Sequence, residues 1–174
     1  SEMLIILGGL PGVGKTSVAR IAARALGAIH LRIDTIEQAV LDANVPPDDD
    51  IGPVGYMVAS RLATDNLRLG HTVIGDAVNP IEISRSEWRR AAERAKVRYV
   101  QVELICSDKA AHRQRVETRI SDIENHKLPD WAKVCACEYE PWQQVDLVID
   151  TAHMSLEEAA RKLVGFVQGQ DSRF

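Results

Sequence analysis

The chain has 174 residues, 45% of them hydrophobic and 26% charged, which is typical of a single globular domain. Its formal net charge of −4 argues against a protein that holds nucleic acid mainly through a broad basic face. The sequence has no apolar run near about 18 residues and no basic leader before an apolar stretch, so we expect neither a membrane span nor export.

The cysteines are three in number, Cys106, Cys135 and Cys137. An odd count in a chain with a full hydrophobic core favours reduced thiols and a cytoplasmic location. One residue separates Cys135 from Cys137, a spacing that zinc ribbons do not use, so we expect no metal site there.

The first predicted strand, residues 3–7, is uniformly apolar, as expected of a strand buried on both faces. It leads into residues 9–16, GLPGVGKT, which match the phosphate-binding pattern G-x-x-x-x-G-K-S/T. Apolar residues then recur at helical spacing as far as Leu26, and Gly27 fits the left-handed position that ends a helix. Strand, glycine-rich loop and helix therefore occur in the order that this motif requires.

The octet predicts a site for a nucleoside triphosphate. Its glycines allow the backbone to wrap closely around an anion, and Pro11 presets φ in the turn. The Lys15 ammonium would reach the β- and γ-phosphate oxygens, and the Thr16 hydroxyl would ligate Mg²⁺. The predicted nucleotide contacts in this segment are Gly9, Pro11, Gly12, Val13, Gly14, Lys15, Thr16 and Ser17.

Apolar strands and amphipathic helices alternate along the rest of the chain, which predicts an α/β fold with a parallel sheet and helices on both faces. The further strands are expected at residues 28–33, 71–76, 97–106 and 145–150. The helices after the first are expected at residues 35–43, 54–69, 84–96, 108–121, 130–140 and 155–168. A stretch rich in proline and aspartate, residues 44–53, is predicted to be a loop. We expect one domain, residues 1–174.

Carboxylates follow three of the predicted strands, at the edge where parallel β/α units place their ligand loops. Asp34 ends the second strand and could accept a proton from a substrate hydroxyl, or it could cap the next helix with Glu37 completing a capping box. Asp76, after the third strand, fits a carboxylate that holds Mg²⁺ through water, or a turn residue before a proline. Asp150 is the rival for the metal role, although the residues after it are more typical of a loop around a nucleobase.

Arginines of the predicted helix at residues 108–121 are candidates for contacting the phosphates. Arg115 and Arg119 are four residues apart and share one helix face. An arginine supplied by the same chain can neutralise the charge of a phosphoryl-transfer transition state. The alternative is a solvated helix whose arginines pair with nearby acids. Arg85, early in the helix after Asp76, is a further candidate for binding a substrate or phosphate anion.

The acidic run Asp48, Asp49 and Asp50 could attract a cationic substrate or Mg²⁺, although a solvated acidic loop is the simpler interpretation. Asp49-x-x-Gly52 matches a pattern found in GTPases. It lies in a proline-rich loop rather than after a strand, and the guanine-binding pattern N-K-x-D does not occur, so we exclude a GTPase.

Together these residues resemble the small P-loop kinases that are labelled predicted kinases or AAA family ATPases. That group is similar to chloramphenicol phosphotransferase, zeta-toxin-type kinases, gluconate kinase and the kinase domain of polynucleotide kinase. The resemblance rests on residues 9–16, Asp34, residues 76–79, Arg85, and residues 112–119, 139–142 and 148–152.

The resemblance implies a three-layer P-loop NTPase fold with a five-stranded parallel sheet in the order 2-3-1-4-5 and a small helical lid at residues 108–128. It implies ATP with Mg²⁺ as the donor and Asp34 as the base that activates an acceptor hydroxyl. It also places near the adenine or the phosphates Arg119, Thr151, Ala152 and His153. Related kinases often carry a basic residue shortly after the base, where this chain has Ile36 and Glu37, so acceptor recognition is expected to differ.

The sequence therefore predicts an ATP-dependent phosphotransferase that acts on a hydroxyl of a small molecule. Lys15, Asp34, Arg115 and Arg119 are its expected catalytic residues, with Thr16 and Asp76 at the metal, and Asp34 and Arg85 at the acceptor. One alternative is a nucleotide-dependent switch that hydrolyses ATP slowly and has no phosphate acceptor. Another is a 5′-hydroxyl nucleic-acid kinase, which the acidic charge and 5% aromatic content disfavour.

Overall fold

The computed structural model describes residues 2–44 and 51–171. Its strands are β1 (Leu4–Gly8), β2 (Ile29–Arg32), β3 (Val73–Asp76), β4 (Tyr99–Ile105) and β5 (Leu147–Asp150). Every pairing among them is parallel, and the sheet has the order β2-β3-β1-β4-β5. Both the parallel sheet and its strand order confirm the predictions made from the sequence.

Helices alternate with these strands along the chain. They are α1 (Lys15–Leu26), α2 (Ile33–Asp42), α3 (Val54–Arg68), α4 (Glu82–Ala95), α5 (Lys109–Thr118), α6 (Trp131–Ala136) and α7 (Leu156–Asp171), with a short 3₁₀ turn at Thr151–His153. Each helix in the described ranges is too short or too polar to cross a lipid bilayer.

The central strand β1 is buried along its whole length because helices cover both faces of the sheet. Ile5 and Leu7 pack with α1 and α7 on one face, whereas Leu4 and Ile6 pack with α3 and α4 on the other. This two-sided burial explains why the strand is uniformly apolar rather than alternating. It also places the glycine-rich loop directly after a fully buried strand.

Two helix ends differ from the sequence prediction near the expected site. The N-cap of α2 is Arg32, which places Asp34 inside the first turn, so the alternative prediction of Asp34 as the N-cap of a capping box is wrong. Helix α5 ends at Thr118 because Arg119 takes an extended conformation, with φ −68° and ψ 150°. The part of the expected lid beyond Arg119 is therefore loop as far as α6, rather than helix. The acidic run Asp48, Asp49 and Asp50 lies outside the described residues.

Candidate active site

The loop between β1 and α1 is shaped by glycines in left-handed conformations. Gly12 has a φ of 84° and Gly14 a φ of 104°, values that other residues rarely adopt. A Cβ at Gly12 would collide with the side chain of Val116 on α5, so this position requires glycine for space as well. Gly14 is the N-cap of α1, and no side chain in the described ranges caps the helix there. The first N–H groups of α1 are thus available to an anion.

Lys15 occupies the position of the P-loop lysine, and its side chain lies at the bottom of the cleft. The residue is only 8% exposed, and Nζ donates a hydrogen bond of 3.1 Å to the carbonyl of Leu10. Burial lowers the pKa of the ammonium, although the nearby carboxylates of Asp76 and Asp34 oppose this effect. A desolvated cation in this position is suited to binding an oxyanion such as a phosphate.

Asp76 lies beside the first turn of α1 at the end of β3. Its Oδ2 accepts a hydrogen bond from Thr16 Oγ1 at 2.8 Å and contacts His30 Nε2 at 2.9 Å. Burial opposes ionisation of Asp76, which is 5% exposed, but the bond to His30 and the charge of Lys15 outweigh it and lower the pKa. Asp76 is therefore a buried carboxylate that stays ionised.

The Thr16 and Asp76 pair fits the ligand preference of Mg²⁺. Hydroxyl and carboxylate oxygens are hard donors, and Mg²⁺ commonly takes one or two of them together with water and phosphate oxygens. No cluster of three or more His, Cys, Asp or Glu side chains that could hold a metal by itself occurs within residues 2–44 and 51–171. The donor set thus suits a metal ion that arrives with a nucleotide better than one held by the protein alone.

Asp150, the rival carboxylate, has a different environment. It accepts hydrogen bonds from the backbone N–H groups of Ser107 at 3.1 Å and Ala152 at 3.0 Å. These bonds shape the turn after β5, and the pKa of Asp150 is held at about 2 mainly by its contact with the side-chain hydroxyl of Ser107 and then by the Ala152 N–H. Only Asp76 of the two lies next to Thr16, so the geometry favours Asp76 for the metal role.

Asp34 projects from the first turn of α2 into the same cavity as Lys15 and Arg119. The Asp34 side chain is exposed. Its negative charge acts to raise the pKa of Lys15 and of Arg119, against the larger lowering that burial causes in each. An accessible carboxylate in the cavity that Lys15 also lines is able to accept a proton from a hydroxyl that enters the cleft.

The two predicted arginines of α5 have different surroundings. Arg115 donates to the Val13 carbonyl at 3.2 Å and to Thr151 Oγ1 at 2.7 Å, so its guanidinium ties α5 to the glycine-rich loop. Arg119 has two buried nitrogens, Nε and Nη2, with no hydrogen-bond partner in the described part of the chain. Burial lowers the pKa of Arg119, and Asp34 opposes the shift. Of these two arginines, Arg119 is accordingly the one that has unpaired guanidinium donors among the described residues.

The short helix at Thr151–His153 packs behind the glycine-rich loop rather than lining the main cavity. Thr151 is fully buried, and its Oγ1 lies 2.8 Å from the Val13 carbonyl. His153 is largely exposed near Asp150. Ala152 contributes its backbone N–H to the same turn. Of the three residues expected near the adenine or the phosphates, Thr151 is buried, Ala152 is half-buried and His153 is exposed.

Arg85 does not lie in the cleft. It is 2% exposed, and its guanidinium donates to the backbone carbonyls of Asn79 at 2.8 Å and Pro141 at 3.1 Å. Further bonds reach the carbonyls of Pro80 and Glu140, and the ring of Trp142 lies 4.2 Å away. The predicted binding of a substrate or phosphate anion by Arg85 does not fit this placement, because its donors already join two distant segments of backbone.

The glycine-rich loop, the carboxylates Asp34 and Asp76, and the arginines Arg115 and Arg119 meet in a cavity of about 480 Å³. Ten of the predicted site residues line it: Pro11, Gly12, Gly14, Lys15, Thr16, Ser17, Asp34, Asp76, Arg115 and Arg119. Sequence reasoning missed three charged residues of the lining: Arg20, Arg32 and Asp122. With these included, five basic and three acidic side chains line the cavity, an excess of positive charge that suits a polyphosphate.

The missed residues differ in how far the sequence could have revealed them. Arg20 lies one helical turn beyond Thr16, so the i, i+4 spacing on α1 was a usable signal. His30, which was also not predicted, contacts Asp76 because β2 and β3 are adjacent, and no local sequence pattern predicts that contact. Asp122 belongs to a loop whose path the sequence does not specify.

Comparison with known proteins identifies the family of the chain and supports its fold. A family model described as an AAA domain matches residues 4–134. No curated protein sequence is significantly similar to the chain.

Several solved structures share the fold. APS kinase CysC of Mycobacterium tuberculosis, solved with AMPPNP and APS, has a TM-score of 0.71 and 20% identity over 96% of this chain and 98% of that chain. The tunicamycin resistance protein of Deinococcus radiodurans has a TM-score of 0.67 and 15% identity over 96% of each chain. A gluconokinase of Sinorhizobium meliloti has a TM-score of 0.60 and 17% identity over 95% of each chain. At these identities the likeness establishes the fold, and the site must be argued from its own residues.

Proposed function

Since this chain belongs to the AAA domain family, we propose that its cleft binds ATP with Mg²⁺ and transfers the γ-phosphate to a hydroxyl group of a small molecule. One observation carries the proposal: Lys15, Asp34 and Arg119 line a single cavity from three separate elements. Binding of a triphosphate alone requires the lysine and the loop. A carboxylate and an unpaired arginine facing them are the groups that phosphoryl transfer needs in addition.

The donor side consists of the glycine-rich loop and the start of α1. Free N–H groups at the start of α1 and the Lys15 ammonium would bind the β- and γ-phosphates. Thr16 and, through water, Asp76 would hold Mg²⁺, which when bound neutralises charge on the phosphate oxygens. The partly buried Thr16–Asp76 hydrogen bond would keep both oxygens in place before any ligand arrives.

On the acceptor side, Asp34 would act as the base. As the acceptor oxygen forms its bond to the γ-phosphorus, the hydroxyl proton passes to the Asp34 carboxylate, and the bond from the γ-phosphorus to the bridging oxygen of ADP breaks. Lys15 and Arg119 would stabilise the negative charge on the transferred phosphoryl oxygens. Arg115 would contribute indirectly, because its hydrogen bonds position the glycine-rich loop.

The solved structures that share the fold support this class of reaction. They include an APS kinase, with AMPPNP and APS bound, and a gluconokinase. We extend the kinase class to this chain and leave its acceptor to experiment. We further propose one domain with residues 108–128 as its lid. All three cysteines are free thiols, and this together with ATP as donor favours a reaction in the cytoplasm.

The proposal is tested by a transfer screen with ATP labelled at the γ-phosphate. The acceptor panel contains sugars, nucleosides, amino alcohols, hydroxylated antibiotics and oligonucleotides, and the Lys15→Ala protein is the blank. We expect labelled product with one class of small molecule. ATP binding without transfer to any acceptor would instead identify a nucleotide switch, and transfer only to oligonucleotides a nucleic-acid kinase.

A further inference from the structure

Asp122 joins the lid segment, residues 119–130, to the walls of the cleft. Its carboxylate accepts a hydrogen bond of 2.6 Å from Arg20 on α1. Both oxygens also accept from Arg32, whose Nη1 and Nη2 each lie at 3.0 Å. One carboxylate thus connects the lid segment to α1 and to the end of β2; we call this set of three residues the clasp.

The clasp lies close to Arg119 along the chain. Arg119 is three residues before Asp122, and an extended chain spans at most about 3.6 Å per residue, so a fixed Asp122 confines Arg119 to a radius of about 11 Å. On the other side, the Arg119 backbone N–H donates to the Arg115 carbonyl at 3.1 Å. Arg119 is therefore held between the end of α5 and the clasp, with Nε and Nη2 unpaired among the described residues.

We propose that Asp122 is a positioning residue, which docks the lid segment on Arg20 and Arg32 and thereby holds the Arg119 guanidinium in the phosphate cavity. The proposal rests on the proposed phosphotransfer, in which Arg119 contacts the phosphate, and it assigns to the clasp the positioning of Arg119. Asp122 itself contacts neither phosphate nor acceptor in this mechanism.

The clasp differs from an ordinary surface ion pair. Arg113 and Glu117 on α5 form such a pair at 2.8 Å, with both side chains at least half exposed, and pairs of this kind contribute little to stability. In the clasp, the Arg32 side chain is 18% exposed and its planar fork engages both carboxylate oxygens. These contacts, with that to Arg32 as the largest, hold the pKa of Asp122 at about 2, so the carboxylate is ionised throughout the neutral range.

Over residues 120–126, the other polar contacts in the described part of the chain are weaker or lie within the segment, whereas Asp130 at its far end accepts a hydrogen bond of 2.8 Å from the N–H of Lys133 on α6. Asn125 Nδ2 lies 3.4 Å from the Asp42 carboxylate, at the long end of the hydrogen-bond range. Ser121 contacts His126 within the segment itself. Loss of the clasp should consequently free the segment locally, with little effect on the fold, because the Asp122 side chain is half exposed.

Docking is tested by amide hydrogen exchange of the protein without nucleotide. Asp122→Asn keeps the shape of the side chain and removes its charge, and Glu117→Gln is the matched control because it breaks the exposed Arg113–Glu117 pair on the neighbouring helix α5. We expect exchange over residues 120–126 to accelerate about tenfold in Asp122→Asn and to stay unchanged in the control. Equal exchange in Asp122→Asn and the native protein would overturn the clasp.

Positioning is tested by the slow hydrolysis of ATP by water, which needs no acceptor. We expect Asp122→Asn to lower kcat about tenfold with KM changed less than about threefold, and Asp122→Glu to recover part of the loss. In an Arg119→Ala background, Asp122→Asn should cause no further loss, because the residue that it positions is already gone. A full additional loss in that background would show that Asp122 acts independently of Arg119 and would overturn the proposal. The hydrogen-exchange test uses no nucleotide, and the hydrolysis test uses ATP without an acceptor. Failure of every acceptor in the transfer screen would therefore contradict the proposed function and leave the role of Asp122 to be decided by these two tests.

Discussion

Thr16 at the start of α1 donates a 2.8 Å hydrogen bond to Asp76 at the end of β3. Sixty residues separate the two in the sequence, and the parallel pairing of β1 with β3, with Leu7 opposite Asp76, brings them together. The hydroxyl and the carboxylate that would share Mg²⁺ are thus already aligned by the sheet. The Thr16 and Asp76 pair is therefore positioned by the buried sheet, whereas Arg119 and Asp122 are contributed by the loop after α5.

Removal of the Asp76 charge should weaken the response to Mg²⁺. In Asp76→Asn, we expect the Mg²⁺ concentration for half-maximal turnover to rise about tenfold or more, because a charged oxygen near the metal is lost. The measurement is ATP turnover against Mg²⁺ at fixed ATP. Asp150→Asn is the matched control, and an equal effect there would show that the metal role had been assigned to the wrong carboxylate.

Substitution of Gly12 by alanine should destabilise the protein more than the same substitution at a glycine that has a similar φ but no neighbouring atoms where the Cβ would lie. Gly70 has a φ of 90°, and a Cβ added there would meet no atom of the described residues within 4 Å, so Gly70→Ala reports backbone strain alone. Gly12→Ala adds the collision with Val116, and we expect its unfolding free energy to fall by about 1–3 kcal/mol more. Denaturant unfolding of both variants measures the difference. Equal losses would mean that α5 does not press on the loop.

Glu37 should make the protein less stable as pH rises. Glu37 is half-buried on α2, and its side chain lies against Gly55 of α3. Burial is the larger cause and the negative charge of Asp34 the smaller cause that raise the pKa of Glu37 to about 7. The folded protein therefore keeps a proton that the unfolded chain releases near pH 4.5, and stability falls as pH rises through this window.

The neutral variant Glu37→Gln escapes this loss. After allowance for solvent screening, we expect it to gain about 1 kcal/mol of stability near pH 8 and clearly less near pH 5. Unfolding by urea at the two pH values measures the gain. Glu93→Gln, on the exposed face of α4, should show the same small change at both. A gain for Glu37→Gln that does not depend on pH would contradict the raised pKa.

Arg85 should matter for folding and not for nucleotide binding. Arg85→Met removes a donor from four backbone carbonyls, of which only that of Pro80 keeps a bond, from the Glu140 N–H, within the described residues; this loss should cost about 3 kcal/mol or more. Arg85→Lys should also lose stability, since an ammonium cannot reproduce the planar fork. The KM for ATP of the folded variants should stay within about threefold of the native value. A raised KM with unchanged thermal stability would restore the anion-binding role for Arg85.

Local patterns were sufficient for the elements and for the donor side of the site. The run at residues 3–7 and the octet at residues 9–16 each carry their own signal, and β1 and the loop to α1 lie where these signals place them. Asp76 was also visible, because a carboxylate that follows a buried strand in a parallel sheet must lie at the ligand edge.

The contacts that the sequence did not reveal all join distant parts of the chain. The carbonyls of Glu140 and Pro141 lie more than fifty residues along the sequence from Arg85. Because they accept hydrogen bonds from its guanidinium, this charged residue of α4 is buried and has a structural role. Likewise, Asp122 meets Arg20 across 102 residues. Such contacts depend on strand register and loop paths, for which a single sequence contains no periodic signal.

We expect the cleft to transfer phosphate to a hydroxyl with Asp34 as the base. The most direct measurement compares native protein and Asp34→Asn, both for AMPPNP binding and for transfer of labelled γ-phosphate to the acceptor found in the screen. We predict AMPPNP affinity within about threefold of the native value and transfer reduced by about 10²–10⁴, because only the proton acceptor is removed. Transfer by Asp34→Asn at the native rate would contradict this claim.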